Sequence, residues 1–180
     1  FLYVGVIGKH KNVLGLLEAW AMAAPRVPAL DLVLAGPFEP EIARARAFVA
    51  EAGLGERVRF LGAVGQGDDA LVHLYNAALG LVFPTLYEGW CAPPLEAMAC
   101  GAPVLASDIP SVREVVEEAG ALLPPEDEEA WALAMVRLAE DGAWRADLAE
   151  RGLRHVKKHS WEGAARNLRR VLSLVQGAGA

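Results

Sequence analysis

Cysteine is nearly absent: Cys91 and Cys100 are the only two in 180 residues, nine apart. That spacing suits neither a disulfide framework nor a zinc pair, so a reducing compartment is the expected setting. Long apolar runs are missing as well. A membrane-crossing helix needs roughly 20 mostly apolar residues in a row, and the chain instead opens on a strand-like segment with no signal-peptide pattern. The expected location is the cytoplasm. Lysine and arginine are not gathered into a dense stripe and the net charge is −6, which argues against a nucleic-acid partner. His10, His73, His155 and His159 form no ligand cluster; His155 and His159 share a helix face but lack the intervening Glu of a zinc-protease motif. No metal is expected. Two phosphate-binding signatures are absent too: Gly8-Lys9 lacks the upstream Gly and following Ser or Thr of a P-loop, and there is no Gly-x-Gly-x-x-Gly fingerprint. A dinucleotide-dependent reductase is thereby disfavoured.

What the chain does have is a regular alternation of short apolar runs and longer helical stretches. At 54% hydrophobic it can bury one substantial core, and no linker or internal repeat divides it. Phe1 to Val6 reads as a buried strand, and a helix follows from Val13 through Trp20 with Asn12 as its expected cap. Leu30 to Ala35 is a second strand ending at Gly36-Pro37, followed by helical spacing from Pro40 to Ala52. Arg57 to Leu61 and Asp68 to Ala78 give the third pair, Leu79 to Phe83 and Pro93 to Cys100 the fourth. Pro103 to Ser107 is the fifth strand, and Ser111-Val112-Arg113-Glu114 has the form of a capping box opening a short helix. Gly120 to Leu123 adds a sixth strand. From Asp127 onward the pattern is helical with breaks near Gly142 and Ser160, and Gly177 to Ala180 is expected to fray. Trp20, Trp131, Trp144 and Trp161 fall at helical positions and are expected in the core or at helix contacts. Strands alternating with helices at these lengths imply right-handed crossovers. The expected fold class is α/β, a Rossmann-like parallel sheet of about six strands with helices on both faces and a helical C-terminal tail. Residues 1–180 are read as one domain.

Chemistry concentrates at two strand ends, where open α/β sheets collect their ligands. After the fourth strand comes Thr85-Leu86-Tyr87-Glu88-Gly89-Trp90-Cys91-Ala92-Pro93-Pro94-Leu95-Glu96. Pro93 and Pro94 suit the first turn of a helix. A helix start favours an anion, and Gly89 lets backbone approach it closely. Glu88 and Glu96 can then accept charge-assisted hydrogen bonds from sugar or ribose hydroxyls. The plainer reading is that both only complement the helix N-terminus. After the first strand, Gly5 to Asn12 supplies positive charge. Lys11 beside a helix start calls for a nearby anion, unless it is simply a solvated lysine.

The acidic segment resembles the Glu-x7-Glu motif of the retaining family 4 glycosyltransferases, whose usual form is Glu-Gly-Phe-Gly-Leu-Pro-x-x-Glu-Ala-Met-Ala-Cys-Gly. Glu88, Gly89, Pro93, Glu96, Ala97, Met98, Ala99, Cys100 and Gly101 match it. The first loop resembles the start of that family's C-terminal domain, with Lys11 in the place of the lysine that contacts the donor's diphosphate. The likeness extends to Val33-Leu34-Ala35-Gly36, Leu74-Tyr75-Asn76-Ala77-Ala78 and Ser160-Trp161-Glu162. It implies the donor-binding half of a GT-B enzyme whose N-terminal, acceptor-binding domain is absent from this chain. The implied reaction moves a hexosyl group from a UDP, GDP or ADP sugar to an acceptor with retention, without a metal or other cofactor. The implied donor site is Gly5, Lys11, Glu88, Gly89, Trp90, Cys91, Ala92 and Glu96. In it Lys11 and the Gly89 to Ala92 backbone serve the diphosphate, Glu96 the ribose and Glu88 the transferred sugar, with Lys11 and Glu88 catalytic. The resemblance also implies that the isolated chain is inactive, that its bared surface invites self-association, and that the full-length enzyme is cytoplasmic or peripheral to a membrane.

Three positions depart from the family pattern. Val6 stands where many relatives carry Arg, which leaves leaving-group stabilisation to Lys11 with help from Lys9. Cys91 replaces a glycine and is penalised if its φ must be positive. Ala92 replaces a larger aliphatic residue and enlarges the sugar pocket. The alternative reading is a non-catalytic nucleotide-sugar-binding or interaction module.

Overall fold

The computed structural model describes residues 1–37, 41–64 and 69–177, with side chains as far as 174. Six strands form one parallel sheet: β1 (Leu2–Val4), β2 (Leu32–Ala35), β3 (Val58–Gly62), β4 (Leu81–Phe83), β5 (Val104–Ser107) and β6 (Ala121–Leu123). Their order is β3-β2-β1-β4-β5-β6. The chain therefore winds one way from β1 to β3 and the other way from β4 to β6.

Side chains of a strand alternate between faces, and here both faces are covered. Tyr3, Leu34, Val82 and Leu105 pack in the cluster built with α1 (Val13–Ala23), α2 (Ile42–Glu51) and α6 (Glu128–Glu140). Leu2, Ala35, Leu81, Phe83, Val104 and Ala106 pack in the cluster built with α3 (Ala70–Ala77), α4 (Ala92–Ala99) and α5 (Pro110–Val116). Burial on both sides is why these strands read as unbroken apolar runs rather than alternating ones. α1 is enclosed almost all round, with Leu16, Leu17, Ala19 and Trp20 buried. Each such large apolar side chain contributes about 1.5–3 kcal/mol of transfer free energy. The C-terminal part is helical as expected, with α6, then α7 (Gly142–His155) packed on α4, then α8 (Trp161–Gly177).

The structure corrects three local expectations. Asn12 does not cap α1 with its side chain: it sits at φ +53°, and its amide nitrogen donates to the Pro125 carbonyl at 2.8 Å. Asparagine tolerates that left-handed conformation, which ends the preceding 3-10 turn at Lys9–Lys11. Ser111 opens no capping box, because α5 starts one residue earlier at Pro110, whose fixed φ favours the first helical position. Trp161 is 90% exposed rather than packed, and with Leu168, Val171, Leu172 and Leu174 it gives α8 an uncovered apolar side. Trp20 and Trp131 are buried as expected, while Trp144 is half-buried under the Arg137 guanidinium, 4.2 Å from the ring centre. Pro40, Asp68 and residues 178–180, named above as helix starts and a frayed end, lie outside the described residues.

The tips of β1 and β2 meet backbone to backbone. Gly5 N–H donates to Ala35 C=O at 2.9 Å, while on the other side of β2 Gly36 N–H donates to Gly62 C=O at the end of β3 at 2.8 Å. Gly36 has φ +148°, and a Cβ there would lie 1.9 Å from the Gly5 oxygen. Gly36→Ala must push the β1 tip away. We expect a loss of about 2–3 kcal/mol, read as a lower urea midpoint at unchanged slope; an unaltered midpoint would show that the tips have room to part.

Candidate functional site

The reversal of winding falls between β1 and β4, and a crevice opens beyond the carboxyl ends of strands at such a point. The loops after β1 and β4 are the two that carry Lys11 and Glu88. The first is anchored by Ile7, which is fully buried and whose N–H donates to Pro37 C=O at 3.0 Å. Beyond it the Lys9–Lys11 turn closes with Lys11 N–H on Gly8 C=O at 3.0 Å. The second loop is sewn to the first at one carbonyl. Leu86 N–H donates to His10 C=O at 2.8 Å, and the buried Thr85 hydroxyl shares its hydrogen between His10 C=O at 3.2 Å and Tyr87 C=O at 3.0 Å.

That seam brings Lys11 and Glu88 into direct contact as an ion pair, across 77 residues of sequence. Their side chains are only 15% and 9% exposed, so each charge depends on the other for compensation. The ammonium also stands 5.6 Å from the centre of the Phe83 ring at the end of β4. Glu88 accepts at Oε1, leaving Oε2 for another donor.

Glu96 lies one turn into α4 and is exposed. Its Oε2 accepts from the Tyr75 phenol of α3 at 2.7 Å. Between the two glutamates runs a stretch of free backbone. No backbone carbonyl among the described residues accepts from the N–H groups of Gly89, Trp90, Cys91 or Ala92. Pro93 and Pro94 occupy the next two helical positions and have no N–H at all. An anion at this helix start would therefore be met by loop amides more than by the helix itself. Gly89 faces open space, since a Cβ on it would meet nothing within 4 Å.

The remaining expected site residues sort by backbone and side chain. Gly5 sits at the β1 tip with φ +154°, where a Cβ would lie 3.0 Å from the Tyr3 phenol oxygen. Trp90 is 62% exposed and its neighbour Tyr87 73%. Ala92 begins α4 and is half-buried. Cys91 has φ −117°, ordinary extended backbone, so its replacement of a glycine costs no strain. Its side chain is buried, with the thiol facing Ser111 C=O at 3.9 Å. Burial, reinforced by the Glu88 charge, pushes the Cys91 thiol up to about 11. Sequence reasoning missed Thr85 as a stitch and gave Tyr75 no role. The run Leu74 to Ala78 was visible, but nothing local told where the phenol points.

No group of three or more His, Cys, Asp and Glu side chains among the described residues could hold a metal ion. His155 and His159 are neighbours, their Nε2 atoms 3.2 Å apart, but His155 ends α7 and its ring is engaged with Val115 C=O at 2.8 Å. No helix among the described residues is long and apolar enough to cross a membrane. A groove of about 650 Å³ is lined by Arg26, which follows α1, and by Leu133, Arg137 and Asp141 of α6 and its end, and includes no residue of the loops that carry Lys11 and Glu88.

Residues 1–155 match the family model described as glycosyl transferases group 1. The chain belongs to the group 1 glycosyl transferases. The O-antigen chain mannosyltransferase B of Escherichia coli is 37% identical over 165 residues, which cover 89% of this chain and 42% of that protein. Sucrose-phosphate synthase from Thermosynechococcus elongatus superposes with a TM-score of 0.82 at 31% identity, over 98% of this chain and 46% of that one. Anabaena HepE, solved in complex with UDP, shares the fold with a TM-score of 0.81 at 22% identity, over 98% of this chain and 49% of its own. This glycosyltransferase chain thus spans less than half the length of each of these three proteins, and its fold is that of GT-B C-terminal domains.

The two thiols of this glycosyltransferase should separate chemically. With its thiol raised to about 11, Cys91 holds less than about a hundredth of the thiolate of an ordinary cysteine at pH 8, and it is buried. A disulfide reagent should titrate Cys100 in the folded domain and Cys91 only in denaturant. Two thiols reacting at once without denaturant would show the loop to be open.

Proposed function

We propose that this chain is the donor-binding half of a retaining glycosyltransferase that moves a hexosyl group from a nucleoside diphosphate sugar to an acceptor without a metal. The observation that carries the reading is the Lys11–Glu88 pair at the winding reversal, next to four loop amides that no backbone carbonyl among the described residues engages. Departure of the diphosphate is the step that builds charge, and groups aimed at that charge lower the barrier most. Lys11 and the amides of Gly89 to Ala92 serve the diphosphate. Glu88 holds the ammonium with one oxygen and takes a sugar hydroxyl with the other. Glu96 accepts from the ribose, where a charge-assisted bond is stronger than a neutral one. Support for a nucleotide comes from the UDP bound to the Anabaena relative. Base and sugar are left open among UDP, GDP and ADP donors.

The acceptor site belongs to the domain that the longer relatives carry in addition, so the chain by itself binds donor and does not transfer. Calorimetric titration with UDP, GDP and ADP tests the reading. At least one should bind the folded domain, and no binding of any at millimolar concentration would overturn it. Turnover by a longer protein carrying an upstream domain would eliminate a non-catalytic binding module.

Two substitutions separate the subsites. Glu96→Ala should weaken nucleotide binding by about 1.5–3 kcal/mol, the scale of a hydrogen bond to a charged group, and an unchanged dissociation constant would remove the ribose role. Lys11→Ala should weaken a nucleoside diphosphate more than the bare nucleoside. Equal losses would take Lys11 away from the phosphates.

A further inference from the structure

Tyr75 is 2% exposed, on α3, and its ring belongs to the apolar cluster beneath α4 that includes Ala97 and Met98. A buried phenol needs a partner for its O–H. Here the partner is Glu96, a carboxylate one helix away, at 2.7 Å. The two ends of this bond differ: the tyrosine is fixed by packing, whereas Glu96 is an exposed side chain with three rotatable bonds. A rigid donor thus holds a flexible acceptor. Burial first, then the Glu96 carboxylate itself, pushes the Tyr75 phenol well above its ordinary range, which favours the protonated, donating form. The bond occupies Oε2 and leaves Oε1 with its lone pairs.

We propose that Tyr75 is a positioning residue of the nucleoside subsite, its phenol pinning Glu96 so that the remaining carboxylate oxygen meets the ribose 2′-hydroxyl already oriented. The inference rests on the reading of Glu96 as the ribose acceptor. A pinned carboxylate loses less freedom when a ligand binds than a swinging one, which is affinity gained by pre-organisation. The gain applies only to ligands that use the carboxylate. Tyr75 therefore sharpens the preference for a nucleotide bearing a 2′-hydroxyl over its deoxy counterpart, without touching either.

The test titrates UDP, GDP and ADP, each beside its 2′-deoxy form, into the wild-type chain, Tyr75→Phe, Glu96→Ala and the double variant. Tyr75→Phe should weaken the ribonucleotide about fivefold, leave the deoxynucleotide nearly unchanged, and add nothing once Glu96 is alanine, because the two residues act as one unit. Equal weakening of both nucleotides, or losses that add in the double variant, would mean that Tyr75 only supports packing and would overturn the proposal. Glu96→Ala without effect overturns the ribose reading itself; a weakened Glu96→Ala beside an unaltered Tyr75→Phe overturns the tyrosine's role alone. A second measurement needs no change at Tyr75. The chain has three tyrosines, so Cζ-labelled tyrosine gives three carbon resonances, assigned with Tyr3→Phe and Tyr87→Phe. The Tyr75 line should move when the ribonucleotide binds and stay still in Glu96→Ala; a line indifferent to the ribonucleotide in the wild type refutes the proposal even where Tyr75→Phe fails to fold.

Discussion

Lys11 and Glu88 are too enclosed for water to do all the work of solvation, and that constraint organises the site. An ammonium in such a place needs an anion within reach, and a carboxylate needs a donor. Neither residue is held by its own loop alone. The His10 carbonyl fastens the two loops together, and it can do so only because β1 and β4 are neighbours from which the chain departs in opposite directions. Sheet order, loop seam and ion pair are therefore one arrangement seen at three scales.

Much of this was legible in the residues. Six apolar runs gave six strands because a parallel sheet covered on both faces demands unbroken apolar character. The Pro93-Pro94 pair announced a helix start, and α4 begins one residue earlier. What stayed hidden depends on distant partners. Asn12 has a capping residue's composition, yet a carbonyl at Pro125 draws its side chain away. Ser111 fits a capping box, but Pro110 sets the helix start first. Trp161 looks like a core residue and is not, since periodicity reveals that a helix has an apolar side without revealing whether anything covers it. Tyr75 and Thr85 were unreadable for the same reason: a hydroxyl's role is set by which atom faces it in space, and both partners are more than 20 residues away in the chain or are backbone.

The departures from the family pattern look different once placed in space. Cys91 occupies extended backbone, so the loop does not require a glycine there, and its side chain adds to the core instead of the opening. No backbone carbonyl among the described residues accepts from its amide, and an amide is all that an anion asks of that position. The paired prolines have the opposite character. They contribute no donor, yet they fix two successive torsions at the mouth of α4.

Those prolines, with the seam at His10, bound a short span. Upstream, Thr85 and Leu86 are moored to the neighbouring loop; downstream, the pyrrolidine rings hold α4 stiff. Only the few residues from Tyr87 to Ala92 lie between these piers. A bridge so brief can flex or rotate a peptide plane, but it has no slack to swing aside like a hinged door.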